Sequence, residues 1–193
     1  GREAGEYNGV KIYPSISLLP ISSDLAVIIT PYNTVPFFLR ECGKKSIKRV
    51  VIETGGFSEY DNSRKNLEEE LNEIAEEYDL RFLGPNCLGI INRKIGLNVC
   101  FMEFPKIPKI ENGGALLTQS GGIGLMYLNA FLSERIAWNI FVSLGNMANI
   151  HESDLLEYLR DDENSKSVSL YIEGIKNPRR LFNITREYNK PIV

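Results

Sequence analysis

The run Gly84-Pro85-Asn86-Cys87-Leu88-Gly89-Ile90 limits what this chain can fold into more than any other feature. It follows directly on the apolar stretch Arg81-Phe82-Leu83. Proline fixes φ and offers no amide donor, and glycine admits positive φ. A strand entering Gly84-Pro85 therefore neither continues nor turns at once into helix. The chain turns sharply there and presents Asn86 and Cys87 at the carboxyl edge of a strand, which in an open α/β sheet is where ligands bind. A second loop of this kind, Thr118-Gln119-Ser120-Gly121-Gly122-Ile123-Gly124, again separates a predicted strand from a predicted helix. The two loops together predict a ligand site assembled from strand ends.

The rest of the sequence supplies the alternation such a sheet requires. Leu25 to Thr30 is an unbroken apolar run, the pattern of a strand buried on both faces. A helix is predicted from Val35 to Lys45 with Pro36 in its first turn, then a strand over Lys48 to Thr54. A helix over Arg64 to Tyr78 carries Leu67, Leu71 and Ile74 at helical spacing, and the run Glu68 to Glu77 reads as its solvated face. With Arg81-Phe82-Leu83 this is βαβαβ, hence a parallel sheet with right-handed crossovers. Periodicity fades from Asn92 to Gly113, where Pro105, Pro108 and Gly113-Gly114 predict a domain boundary. Beyond it, strands are predicted over Ala115 to Thr118, Asn139 to Ser143 and Val168 to Ile172. Helices are predicted over Gly121 to Glu134, Ser153 to Arg160 and Pro178 to Tyr188, the last capped by Asn177. Met126, Tyr127, Phe131 and Trp138 read as packing residues. The first strand signal comes only after a polar entry segment, and the last strand breaks off at Val193. An internal piece of a longer protein is the expectation.

Composition narrows the function classes. At 193 residues, 43% hydrophobic and 24% charged, the chain has ordinary globular content, and a net charge of −3 with no basic stripe argues against nucleic-acid binding. No apolar run approaches the ~20 residues of a membrane span, and no signal peptide is visible. Three cysteines, Cys42, Cys87 and Cys100, lack metal-ligand spacing, so no metal site is expected in this chain and a reducing cytoplasm is the simplest compartment.

The loops carry the chemistry. Closely spaced glycines at a helix start bring free amides and the positive dipole end to an anion, with Thr118 and Ser120 adding hydroxyls. Tight helix–strand packing is the alternative reading of the same glycines. Glu53-Thr54-Gly55-Gly56 ends another strand, and reads either as a groove wall for a long ligand or as an ordinary turn. Cys87 has no histidine near it in sequence and is read as lining a ligand rather than as a nucleophile. His151, the sole histidine, sits where a helix dipole disfavours imidazolium and reads as a surface residue. Glu173 ends the strand Leu170-Tyr171-Ile172. A carboxylate there either orients another group or is a solvated turn residue.

Several segments in order resemble one family: Gly9-Val10-Lys11-Ile12-Tyr13-Pro14-Ser15, Asp24-Leu25-Ala26-Val27-Ile28, Gly55-Gly56-Phe57-Ser58-Glu59, Gly84-Pro85-Asn86-Cys87-Leu88-Gly89, Gln119-Ser120-Gly121-Gly122, Ser143-Leu144-Gly145-Asn146 and Tyr171-Ile172-Glu173-Gly174. Over nearly its whole length the chain resembles the NDP-forming acyl-CoA synthetases, relatives of the succinyl-CoA synthetase α subunit. The resemblance implies an α/β architecture. A Rossmann-like CoA-binding domain, truncated at its N-terminus, would occupy residues 1–110. A flavodoxin-like parallel-sheet domain, truncated at its C-terminus, would occupy residues 111–193.

The resemblance also implies a reaction, the interconversion of acyl-CoA, NDP and phosphate with carboxylic acid, CoA and NTP through acyl phosphate and a phosphohistidine. Glu53, Thr54 and Gly55 would lie along CoA, and Asn86 and Cys87 would border its thiol end. Thr118, Ser120, Gly121 and Gly122 would hold phosphate, and Glu173 would orient the phosphohistidine. ADP/ATP and Mg²⁺ would enter through an ATP-grasp domain or β subunit, in an oligomer. The chain departs from the family pattern in lacking the glycine-rich CoA loop and the phosphohistidine, which His151 does not replace. Asn149 also stands where relatives usually carry aspartate. The isolated chain is expected not to turn over. A catalytically inactive CoA- or ligand-sensing module, as in fusions to an acetyltransferase, is the alternative function.

Overall fold

A computed structural model describes residues 3–102 and 109–193. Pro105 and Pro108, two of the residues that predict a boundary, lie outside the described residues. The chain opens with a small antiparallel hairpin, β1 (Gly5–Tyr7) and β2 (Val10–Ile12), turning at Asn8-Gly9. Both turn residues have positive φ, 48° and 78°, as a two-residue hairpin turn requires. The polar entry segment expected from sequence thus holds two strands, and the Asn-Gly dipeptide was their signal.

The first parallel sheet follows the expected βαβαβ course. It comprises β3 (Ala26–Ile28), α1 (Val35–Lys44), β4 (Arg49–Ile52), α2 (Lys65–Glu77) and β5 (Arg81–Leu83), with strand order β3-β4-β5. Alternation sorts its side chains. Val50, Ile52 and Phe82 pack with Leu39 and Cys42 of α1 and Leu71 and Ile74 of α2. Val51 and Leu83 point the other way and join a core with Leu144, Met147 and Leu156 from the second half of the chain. The back of the first sheet is therefore covered by the second unit rather than by helices of its own.

The second sheet begins earlier than the sequence suggests. β6 (Gly89–Asn92) and β7 (Leu97–Cys100) form a hairpin, and β6 runs antiparallel to β9. The elements β8 (Gly113–Thr118), α3 (Gly121–Ser133), β9 (Trp138–Ser143), α4 (Glu152–Asp161), β10 (Ser165–Tyr171) and α5 (Pro178–Arg186) complete it, in the order β10-β8-β9-β6-β7. Sheet membership thus changes between Leu83 and Gly89, whereas the sequence placed the division of domains at residue 110. Every residue of β9 is buried, as befits a central strand. Phe141 and Leu116 meet Leu128 of α3 on one face, and Ile140, Val142, Ala115 and Leu117 meet Leu156, Leu159 and Ile184 on the other. Trp138 is buried as expected, Phe131 lies against it with ring centroids 6.5 Å apart, and the half-exposed Tyr127 lays its ring 6.0 Å from Phe131, whereas Met126 of α3 is 66% exposed and does not pack within the described residues. Ile192 pairs in parallel with Val168, extending the sheet past β10.

Candidate functional site

The carboxyl ends of β3, β4, β5, β8 and β10 open into one cleft of about 900 Å³. Glu53, Thr54 and Gly55 line it from the end of β4, and Asn86 and Cys87 from the end of β5. Ser120, Gly121 and Gly122 line it from the start of α3, and Glu173 from beyond β10. All the candidate residues but one therefore face a common space. Thr118 is the exception. It is fully buried, its hydroxyl donates to the Ser120 carbonyl at 2.7 Å, and it does not line the cleft. Its hydroxyl shapes the loop and is not available as a ligand for phosphate.

The glycines of this loop divide the two readings offered for them. A Cβ at Gly124 would lie 2.7 Å from the Thr118 methyl, so this glycine allows α3 to seat closely on the sheet. A Cβ at Gly122 would meet nothing within 4 Å, and the residue opens on the cleft. Ser120 caps α3, its Oγ accepting from the Ile123 amide at 3.4 Å. The amides of Gly121 and Gly122, in the first turn, have no carbonyl of the helix to bond. The positive end of the α3 dipole thus faces the cleft.

Backbone and side-chain bonds set the other loops. The Thr54 hydroxyl donates to the Thr30 carbonyl at 2.8 Å and accepts from the Thr30 amide at 3.1 Å, stitching the end of β4 to that of β3. Gln119, absent from the residues singled out by sequence, accepts with Oε1 from the amides of Glu173 (2.9 Å) and Gly174 (3.1 Å). That bond holds the exposed Glu173 beside the start of α3. Cys87 is 4% exposed, its thiol donates to the Ile52 carbonyl at 3.3 Å, and burial pushes its pKa up to about 12. A thiol held neutral in this way is a weak nucleophile.

Asn146 and Glu59 also line the cleft and were not among the candidate site residues read from the sequence. Asn146 donates from Nδ2 to Glu59 (2.6 Å) and to Glu68 (2.8 Å), and its Oδ1 accepts from Asn86 at 3.3 Å. Burial pushes the Glu59 carboxyl up. Hydrogen bonds from Asn146 and from the amides of Gly56 and Phe57 outweigh it and hold Glu59 below the usual range. Glu68 is a correction to the solvated face expected of α2. It is 8% exposed and accepts from the Ser58 amide and hydroxyl. The motif Ser143-Leu144-Gly145-Asn146 was the available signal for Asn146. His151 stands at the N-terminus of α4, its amide donating to Asp154 at 2.8 Å, outside the cleft.

Glu53 is the anomaly of the cleft. It is 8% exposed, and neither carboxylate oxygen has a hydrogen-bond partner among the described residues. Burial alone pushes its pKa from 4.5 up to about 7. Between those values the folded protein keeps a proton that the unfolded chain has released, so stability falls as pH rises through the window. Relative to Glu53→Gln, the wild type is therefore expected to lose up to about 3 kcal/mol between pH 4 and pH 8. Urea denaturation of both proteins at the two pH values checks this. Parallel stability curves would mean that the carboxyl ionises as an ordinary one.

The chain matches two family models, a CoA binding domain over residues 1–93 and a succinyl-CoA ligase like flavodoxin domain over residues 112–193. It is 41% identical to the acetate–CoA ligase [ADP-forming] II subunit alpha of Pyrococcus furiosus, covering 96% of this chain and 40% of that protein. It is 46% identical to the acetate–CoA ligase [ADP-forming] of Methanocaldococcus jannaschii, covering 97% of this chain and 26% of that protein. The chain therefore spans well under half the length of these curated relatives. A dinucleotide forming acetyl-coenzyme A synthetase 1 from Ca. Korarchaeum cryptofilum, solved in complex with phosphate and ADP, superposes with a TM-score of 0.90. It shares 34% identity and covers 100% of this chain and 41% of that one.

Proposed function

We propose, for a chain that belongs to the NDP-forming acyl-CoA synthetase family, that it forms the α-type region of an enzyme interconverting acyl-CoA, NDP and phosphate with carboxylic acid, CoA and NTP. The observation that carries this reading is the convergence, in one cleft, of an open helix start with the loops after β4 and β5. An anion at the α3 terminus and a thioester against Glu53, Asn86 and Cys87 would share that space. Phosphate held by the amides of Gly121 and Gly122 attacks the acyl carbon, the C–S bond breaks, and acyl phosphate forms. The phosphoryl group then passes to a histidine outside this chain, oriented by Glu173. Such transfer depends on positioning and on charge stabilisation, which a helix N-terminus supplies. An ATP-grasp domain or β subunit would carry the nucleotide and Mg²⁺, in a cytoplasmic oligomer. Domain limits at 1–110 and 111–193 belong to the same proposal.

The test is incubation of the full-length protein containing this chain with radiolabelled ATP and Mg²⁺, and separately with acyl-CoA and labelled phosphate. The ATP-grasp partner is added if it is a separate chain. The expected result is an acid-labile, base-stable label on the protein by either route. Absence of label by both routes, with CoA still bound, would instead make the cleft that of a ligand-sensing module.

A further inference from the structure

We propose that Glu53 is the group that takes the thiol proton of coenzyme A when its sulfur attacks the acyl phosphate, and that returns it in the reverse direction. The assignment rests on the function proposed above and gives a role to a carboxyl that has no hydrogen-bond partner among the described residues.

Burial sets Glu53 apart. A carboxyl group removed from water with no hydrogen bond is costly, and native proteins rarely keep one without a use. Glu53 is nine-tenths buried, lines the cleft, and has both oxygens unbonded among the described residues. Its space is reserved by backbone: a Cβ at Gly89 would lie 2.6 Å from Glu53 Oε1 and 2.0 Å from the Val99 carbonyl. Other carboxylates of the cleft are in different states. Glu59 is engaged by Asn146 and the amides of its own loop, and Glu173 is exposed at the rim.

The surroundings then show what a thiol meets there. Among the described residues, Cys87 and Cys100 are the titratable groups that face Glu53, from the loop after β5 and from β7. Burial, with the Glu53 charge adding to it, pushes both thiols up to about 12. A ligand thiol entering the same pocket would likewise stay protonated, and a protonated thiol is a poor nucleophile. The attack therefore needs a proton acceptor inside the pocket, and Glu53 lies at the end bordered by Cys87. In the step, the S–C bond forms and the C–O bond to phosphate breaks. The thiol proton moves to a Glu53 oxygen and then to the departing phosphate, which leaves as HPO₄²⁻. In reverse, protonated Glu53 supplies the proton to the leaving sulfur.

The experiment uses the full-length protein with its nucleotide-binding partner, and compares wild type, Glu53→Gln and Glu53→Asp. Two half-reactions are followed: phosphoenzyme formation from ATP, and acyl transfer from acetyl phosphate to CoA in single turnovers from pH 6 to pH 9. Glu53→Gln is expected to form phosphoenzyme within about twofold of wild type while acyl transfer falls by about 10²–10⁴. Its remaining transfer should climb about tenfold per pH unit across the whole range to pH 9, because only the small thiolate fraction left by burial then does the work. Glu53→Asp should retain more transfer than Glu53→Gln. Undiminished transfer in Glu53→Gln would overturn the assignment. So would a loss that is flat with pH and matched by weaker CoA binding in calorimetry, which would make Glu53 an acceptor for a pantetheine amide. A wild-type protein that forms no phosphoenzyme and transfers no acyl group would remove the proposed function itself, and this assignment with it.

Discussion

The variant Gly145→Ala is expected to destabilise the protein by about 4 kcal/mol or more, a size reserved for a few mechanisms. Two of them meet here. Gly145 has φ of +60°, which for a residue with a Cβ adds about 1–2 kcal/mol of strain. The added Cβ would also lie 2.1 Å from the Pro85 carbonyl and 2.6 Å from that of Asn86. Both are backbone atoms, and they are held where they are. The Asn146 amide donates to the Pro85 carbonyl at 2.9 Å, and the Ala148 amide to the Gly84 carbonyl at 3.1 Å. The methyl group can be admitted only by pulling the loop after β9 away from the loop after β5. That would also release Asn146 from Asn86 and from the two carboxylates it bridges. A fall in melting temperature of roughly 10 °C is expected for a protein of this size. Gly174→Ala, where a Cβ meets nothing within 4 Å, is the control and should change little. Calorimetric scans of both variants measure the difference, and equal melting temperatures would show that the two loops are not clamped at Gly145.

Gly122→Val should behave in the opposite way, leaving the fold intact and removing the chemistry. Its side chain has open space on the cleft side, so stability should stay within about 0.5 kcal/mol of wild type. The same open space is where an anion would approach the first-turn amides of α3. A branched side chain there keeps the anion from its donors. Loss of a single preorganised donor lowers such reactions by about 10²–10³, and formation of phosphoenzyme from acyl-CoA and phosphate should fall at least that far. Gly121 offers no such clean experiment, since its Cβ would press on Leu88 at 3.2 Å. Wild-type phosphoenzyme levels in a folded Gly122→Val protein would move the phosphate away from this helix.

Much of this architecture was legible in the sequence, for local reasons. The helices announce themselves by apolar spacing and by their ends. Asn177 caps α5 as expected, its Oδ1 accepting from the Arg180 amide at 2.9 Å. The buried parallel strands announce themselves as apolar runs. The strands β1, β2, β6 and β7 did not, although the equally short β5 did. β7 is four residues long and only half buried, and it exists because β6 holds it in register against the second sheet. β10 begins at Ser165, three residues before the expected Val168, because Ser165 and Ser167 pair with Gly113 and Gly114 of β8. No local pattern in Ser165-Lys166-Ser167 encodes that pairing.

The site divides along the same line. Gly84-Pro85, Gly121-Gly122 and the strand ends before them by themselves determined that loops would gather at one sheet edge, because glycine, proline and the end of an apolar run act on the backbone within a few residues. Tertiary structure alone decided which groups in those loops are free and which are engaged. Asn146 reaches Asn86 across 60 residues of sequence and Glu59 across 87. Glu53 reads locally as one more polar turn residue. It becomes a buried carboxyl, without a partner among the described residues, only when Gly89 and β7 pack against it. Burial and pairing of a polar group depend on what the rest of the chain brings to it, and no neighbour in sequence carries that information.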